Sequence, residues 1–441
     1  MTDPQTSDPI FTKQLRIASQ AKQSPGMAFR TLFHHVDLEW MREAYRRTRK
    51  SGAAGVDGQT AASYAVDLDA NLSSLLDRAK SGTYRAPPVR RVYIPKGDGS
   101  KTRPLGIPTF EDKVLQRAVV MLLEPVYEQD FYACSYGFRP GRSAHDALRA
   151  VHRTVWGLKG GWVVDLDIQG FFDTLDHRQL WEMLRERVVD GVVTRLIGKW
   201  LRAGVLEEGR VTRSSSGTPQ GGVVSPLLAN LYLHVVLDRW WSTVVVPRLR
   251  GKADLVRYAD DVVIVLSRRD DADRVMAVLP KRFGRFGLTL HPEKTKLVRF
   301  KRPTRGGPSS ETFTFLGFTH YWALSRRGFW APKRKTAPTR FTRTLKAFRT
   351  WLRQNRHVPM GDQSRLLGRK LTGVYEYWRL PGNGRACWQL HHWVRQEWKK
   401  WLSRRSQRGL GWDAFGRAYL RHPLPTPPPM KRGRRSASES T

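Results

Sequence analysis

The sequence predicts an α+β protein whose C-terminal quarter is helical and strongly basic, and three observations support that class. Two acidic segments in strand-like surroundings, residues 161–167 and 255–266, stand some 90 residues apart. A glycine-rich loop leading into a helix lies between them, at residues 217–233. From about residue 333, apolar residues recur at helical spacing among many cations.

The first segment, Gly161-Trp162-Val163-Val164-Asp165-Leu166-Asp167, is β-branched and apolar enough to be a strand, and Gly170 turns the chain after it. Asp165, Asp167, Gln169 and Gly170 also open like a calcium loop, with Asp176 at the twelfth position. Such a loop follows a helix and ends on a bidentate Glu, whereas here a strand precedes and an Asp closes. Phe171-Phe172 is either core or a ring placed beneath an incoming sugar, where it would leave no room for a 2′-hydroxyl. In the loop Gly217-Thr218-Pro219-Gln220-Gly221-Gly222, glycines permit close backbone approach to a ligand. Ser225 is then expected as an N-cap with Pro226 in the first helical position. Leu228, Leu231 and Val235 give that helix one face to bury. In the second acidic segment, Leu255-Val256-Arg257-Tyr258 and Val262-Val263-Ile264-Val265-Leu266 form a hairpin around Ala259-Asp260-Asp261. Two adjacent aspartates at a buried tip repel each other unless a cation neutralises them, while a solvated turn would leave them idle.

Carboxylates on two separate segments are what two-metal phosphoryl displacement requires, because two ions must clamp the attacking and leaving oxygens. Mg2+ prefers oxygen ligands and takes one or two carboxylates along with water and phosphate. Asp167 on one segment and Asp260 with Asp261 on the other meet that requirement.

Composition limits the partners. The 441 residues suffice for two or three domains, and 40% hydrophobic content with 16 Trp indicates folded cores. Net charge is +38 with a pI near 10.9, so an anionic partner is expected. Residues 331–441 alone carry 26 Lys/Arg against 5 Asp/Glu, more than half of the excess. Basic residues interleaved with aromatics suit phosphate neutralisation and base stacking. No run approaches the length of a bilayer span, the N-terminus is polar, and Cys134 and Cys387 are the only cysteines. A cytoplasmic protein with no membrane partner and no cysteine-rich zinc module is the expectation, each cysteine being a buried small residue. Trp40-Met41-Arg42-Glu43-Ala44-Tyr45 reads as part of a helical N-terminal extension, and 301–308 as a turn. In residues 388–403, Leu390, Val394, Trp398 and Trp401 form a core stripe. Arg395, Lys399, Lys400, Arg404 and Arg405 then face outward, where RNA could lie.

In this order these segments resemble the reverse transcriptase/maturases encoded by group II introns, over roughly residues 55–428. Gly55-Val56-Asp57-Gly58 is similar to the family's N-terminal extra block. Val92-Tyr93-Ile94-Pro95-Lys96 and Thr102-Arg103-Pro104-Leu105-Gly106-Ile107-Pro108 resemble its fingers, and Ser135-Tyr136-Gly137-Phe138-Arg139-Pro140-Gly141-Arg142-Ser143 follows in family order. Gly287-Leu288-Thr289-Leu290-His291-Pro292-Glu293-Lys294-Thr295 and Phe315-Leu316-Gly317-Phe318 resemble the last palm blocks. Trp378-Arg379-Leu380-Pro381-Gly382 falls within the part similar to the thumb.

The resemblance implies a right-hand polymerase fold: an antiparallel palm sheet flanked by helices, with fingers, and then an α-helical thumb/maturase domain. It divides the chain into an N-terminal extension (1–50), fingers and palm (51–320), thumb/maturase (333–421) and a disordered basic tail (422–441). It implies RNA-directed DNA synthesis with two Mg2+ ions held by Asp167, Asp260, Asp261 and the Ile168 carbonyl. Lys96, Arg103 and Gln220, with Ile168 and Phe172, would bind the dNTP, Phe172 or its neighbour Phe171 serving as sugar gate. Lys294 would touch primer or template, or be a solvated charge. Partners would be the intron RNA, an RNA template with DNA primer, and target DNA. Many relatives continue into a DNA-binding and nuclease domain; only a short tail follows here, so the expectation is no endonuclease and priming from existing DNA ends. A splicing-only maturase and a free-standing relative used in DNA repair or phage defence are the competing readings.

Overall fold

The computed structural model describes residues 9–96, 101–207, 210–212, 221–304, 309–325 and 327–429. Gln220 with the rest of the 213–220 stretch, residues 305–308 of the expected turn, and the tail from residue 430 lie outside the described residues. The chain forms two compact units, Met1–Ala150 with Leu166–Leu297, and Val151–Asp165 with Val298–Thr441.

In the first unit, helices Pro9–Gln23 and Leu38–Arg47 pack on the long helix Phe110–Asp130. That helix starts where Thr109 accepts the N–H of Asp112, and Val114, Leu115, Ala118, Leu122 and Val126 are buried along it. The indole of Trp40, itself wholly buried, donates to the Ala118 carbonyl at 3.0 Å. Strands Val89–Lys96 and Lys101–Ile107 pair antiparallel, and Val205–Glu207 with Arg210–Thr212 extends the sheet beyond the first strand. Asp190 caps helix Gly191–Arg202 and also accepts the backbone N–H groups of Leu32 and Phe33, so one buried carboxylate joins two distant segments.

Two local expectations are corrected. The helix Ser225–Leu233 begins at Ser225 itself, with Val224 as the residue before it. Val224 takes the capping position, its carbonyl accepting the Leu227 and Leu228 N–H groups, while its own N–H donates to Gln116 Oε1 at 3.2 Å. Leu228, Leu231 and Val235 are buried as expected, but so are Leu227, Ala229, Asn230, Tyr232 and Leu233. The helix is therefore interior on all sides, which its apolar composition permits. It continues as π-helical turns, His234–Arg239 and Trp241–Val245. The hairpin strands are Ala253–Tyr258 and Asp261–Leu266, so the turn is only Ala259-Asp260 and Asp261 opens the second strand opposite Tyr258.

The second unit contains an antiparallel sheet of Phe313–Phe315, Phe318–Leu324 and Trp330–Thr336, with helices Pro338–Gln354, Met360–Trp378, Gly384–Ser403 and Trp412–Arg421. Asn383 ties sheet to helices: its Oδ1 accepts the Thr336 N–H and its Nδ2 donates to the Trp378 carbonyl, each at 2.9 Å. Leu390, Val394 and Trp398 are fully buried, and the Trp398 indole donates to Gln363 Oε1 at 2.6 Å. Trp401 is only half-buried; Cys387 and Leu402 complete the inward face instead. Cys134, in the first unit, is half-buried rather than buried. Among the described residues, no helix is long and apolar enough to cross a membrane.

Inside this unit His320 lies opposite Arg334 across the sheet and stacks on Phe313, ring centroids 4.5 Å apart. His320 Nε2 and His152 Nδ1 are buried without hydrogen-bond partners. Burial first, and the Arg334 charge second, hold both imidazoles neutral, His152 down to about 4 and His320 well below its ordinary value. The unfolded chain takes up these protons near pH 6.5 while the folded chain refuses them, so stability is full above that pH and falls as the solution is acidified. We expect a loss of roughly 1.4 kcal/mol per pH unit for each imidazole between pH 6.5 and 5. Urea unfolding of wild type and His320→Phe across this range checks it; equal slopes for the two proteins would refute the assignment.

Candidate active site

Arg257 sits in an otherwise apolar strand and has no exposed surface, so its charge must be matched internally. Its Nε and Nη2 donate to the two oxygens of Asp238 at 2.8 and 2.5 Å, and Asp238 is equally buried. Its Nη1 donates to Asn230 Oδ1 at 2.9 Å and to the Ala259 carbonyl at 3.1 Å. Asn230 in turn donates to the Gly137 carbonyl at 2.7 Å. Ala259 adopts φ +55°, a conformation that L residues seldom take, and the Arg257 bond to its carbonyl holds it there. Gly137 packs directly on the Ala259 backbone, where any Cβ would collide with main-chain atoms. The turn bearing Asp260 and Asp261 is thus fixed from beneath by a buried polar network.

Asp167 is fixed independently. Strand Gly160–Leu166 stops one residue short of it, and Ile168-Gln169 pairs with Thr289-Leu290. The Asp167 carbonyl accepts the His291 N–H at 2.8 Å, and its carboxylate meets Lys294 Nζ at 3.1 Å. Lys294 is thus a counterion to Asp167, a role neither sequence reading gave it, in an open pair of small energetic weight.

The three carboxylates and Arg103 share one field. Solvent reaches Asp261, yet protein surrounds it on most sides, and its carboxyl is pushed up to about 6. Burial is the main cause, then the charges of Asp260 and Asp167, while Arg103 opposes them. Like-charged oxygens gathered this way favour a cation. Among the described residues no three acidic, His or Cys groups close into a metal cage. An open set of carboxylates is compatible with Mg2+, which keeps several waters and takes oxygens from bound phosphates.

Arg103 is exposed on its strand opposite Ile94, and Lys96 ends the partner strand opposite Lys101. Gln220 lies outside the described residues, but Gly221 presses against the Gly106 carbonyl at φ +122°, leaving no space for a side chain. Just beyond it Gln116, which receives the Val224 N–H, donates to Asp112. Asp112 is fully buried, also accepts from Trp200 and Tyr84, and burial pushes its carboxyl up to about 6. The side chain of Ile168 is buried. Phe171 is core at 3% exposure and Phe172 is half-buried.

In the helical unit Lys400, Arg404 and Arg405 are exposed, while Arg395 and Lys399 are half-buried. Arg395 lies over Tyr419, Lys399 over Trp412 and Arg404 over Trp401, each 5.0 Å from the ring centroid. Arg405, exposed as expected, is also bonded to the Arg356 and Val358 carbonyls.

Sequence reading overlooked Asp238, Asn230 and Asp112. A signal existed in Arg257, since a lone Arg within a buried strand requires a partner. Replacing Arg257 with Met leaves Asp238 buried and unpaired, and we expect a loss of roughly 3–5 kcal/mol. Adding Asp238→Leu should recover much of that loss, as measured by chemical denaturation. A single variant as stable as wild type would refute the central role given to the pair.

Residues 94–320 match the family described as reverse transcriptase (RNA-dependent DNA polymerase). Protein YkfC of Escherichia coli strain K12 is 38% identical over 359 residues, covering 72% of this chain and 90% of that protein. Group II intron-encoded protein LtrA of Lactococcus lactis subsp. cremoris is 39% identical over 225 residues, 50% of this chain and 36% of its own length. Nuclear intron maturase 2, mitochondrial, of Arabidopsis thaliana is 28% identical over 231 residues, 44% of this chain and 30% of its own. With the matched stretch spanning both aspartate segments, the chain belongs to the reverse transcriptase family, as an RNA-directed DNA polymerase of the kind that group II introns encode.

Proposed function

We propose that this protein copies its intron RNA into DNA by two-metal phosphoryl transfer and also binds that RNA to assist splicing and mobility. The observation that carries the reading is the shared field of Asp167, Asp260, Asp261 and Arg103, drawn from three segments. Asp167, Asp260 and Asp261, with the Ile168 carbonyl, are the groups assigned to Mg2+, which when bound lowers the charge barrier to attack on a phosphate. Arg103 offers a planar fork to triphosphate oxygens, with Lys96 and Gln220 assigned beside it. The Phe172 ring is assigned to the space a ribonucleotide 2′-hydroxyl would need. Lys294 balances Asp167 when no cation does. Fingers, palm and thumb are the names we give to the 89–107 hairpin region, the aspartate-bearing elements and the C-terminal helices. The partners proposed are intron RNA, an RNA template with DNA primer, and target DNA.

DNA-primer extension on an RNA template with Mg2+ is the direct test. Asp260→Ala should abolish extension while leaving the fold intact, and Phe172→Val should admit ribonucleotides. Extension retained by Asp260→Ala rejects the site, and unchanged discrimination by Phe172→Val rejects the gate. No extension by folded, RNA-binding wild type would instead favour the splicing-only reading.

The RNA surface has its own test. Lys400→Glu with Arg404→Glu should weaken intron RNA binding about tenfold or more and flatten its dependence on salt. Unaltered affinity and slope would move the RNA surface elsewhere.

A further inference from the structure

Trp240, Val244, Val245, Leu249, Val275 and Val278 line a concavity of about 590 Å³ in the first unit, between the π-helical turns and helix Arg269–Gly284. Val244 is 37% and Val278 41% exposed, so the apolar lining opens to solvent. Around it stand Arg248, Arg274, Lys281, Arg282 and Arg285, and no acidic side chain is among the lining residues. Some of these cations serve the fold. Arg274 pairs with Asp271, Arg248 donates to the Val244 carbonyl, and Arg282 donates to the Val235 and Val236 carbonyls while lying over Trp240 and Phe286. Among the described residues no carboxylate is paired with Lys281 or Arg285, one helical turn apart. Burial, then the like charges of Arg285 and Arg239, lower the pKa of Arg282.

We infer that this concavity docks an acidic protein segment carrying bulky apolar side chains, which fill the valine-lined floor while flanking carboxylates meet Lys281 and Arg285. A volume of this size can enclose one or two such side chains. The valine-lined floor and the two unpaired rim cations together offer both contacts that such a segment makes. A second copy would bring the same positive charge against the rim. Nucleic acid would satisfy the rim through its phosphates but leave the valine floor wet.

The probe is a fluorescein-labelled decapeptide of Asp, Glu and Gly with one Phe and one Leu, titrated with the full chain up to about 100 μM and followed by anisotropy. Controls are the same peptide with Gly for Phe and Leu, and a single-stranded DNA decamer. We expect Val278→Glu, and separately Lys281→Glu with Arg285→Glu, to weaken the peptide about tenfold. Primer extension and thermal midpoint should be unchanged, and the milder Val278→Ser should weaken only the peptide with Phe and Leu. The proposal fails if wild type does not bind that peptide, or binds the glycine version equally well. It also fails if Val278→Glu leaves peptide affinity intact, or if the DNA decamer loses as much affinity as the peptide.

Discussion

A guanidinium and a carboxylate, Arg257 and Asp238, face each other with no exposed surface on either, and the arrangement of the acidic turn follows from that pair. Removing two charges from water costs several kcal/mol each, and their attraction offsets this only when every remaining donor is also used. Here four of the five N–H groups are used: two to Asp238, one to Asn230 and one to the Ala259 carbonyl. An apolar pair of the same volume could be as stable, but it could not hold the Ala259 carbonyl or orient Asn230 toward Gly137. The ion pair therefore determines where the turn lies more than how stable the protein is. The π-helical turns are part of the same arrangement, because Asp238 lies on them at full burial.

The second constraint is repulsion. Asp260 and Asp261 sit at the end of a rigid hairpin, and Asp167 approaches on a segment anchored by His291 and Leu290. Burial first, and then the charges of Asp260 and Asp167, raise the pKa of Asp261. Arg103 from the strand sheet and Lys294 beside Asp167 provide partial balance, and both are exposed enough to move.

Much of this was legible in the sequence because carboxylates amid β-branched residues violate the ordinary segregation of charge from core. The hairpin, the strand leading to Asp167 and the C-terminal helices all follow from periodicity and composition. What sequence did not reveal was contact between segments far apart in the chain. Asp238 looks like an ordinary polar residue within Leu237-Asp238-Arg239, and only folding places it beneath Arg257. Ser225 has the composition of an N-cap, but the helix starts one residue earlier than that role needs, and the Val224 carbonyl accepts the first N–H groups. Phe171 and Phe172 are chemically equivalent in sequence; the helix that starts at Phe171 buries one ring and leaves the other half-open.

Net charge alone overstates how many cations the helical unit can offer to RNA. Arg340, Arg349, Lys370, Arg395, Lys399 and Arg404 each lie over an aromatic ring of the same unit. An aromatic face attracts a cation without neutralising it, so these residues pack the domain and, apart from Arg349, which also pairs with Glu397, still contribute their charge to the long-range field. A carboxylate partner would have cancelled that charge, and in this unit carboxylates are few. The charge of the domain can therefore act on a polyanion from a distance, and Arg404, and Lys400 beside Glu397, keep exposed heads.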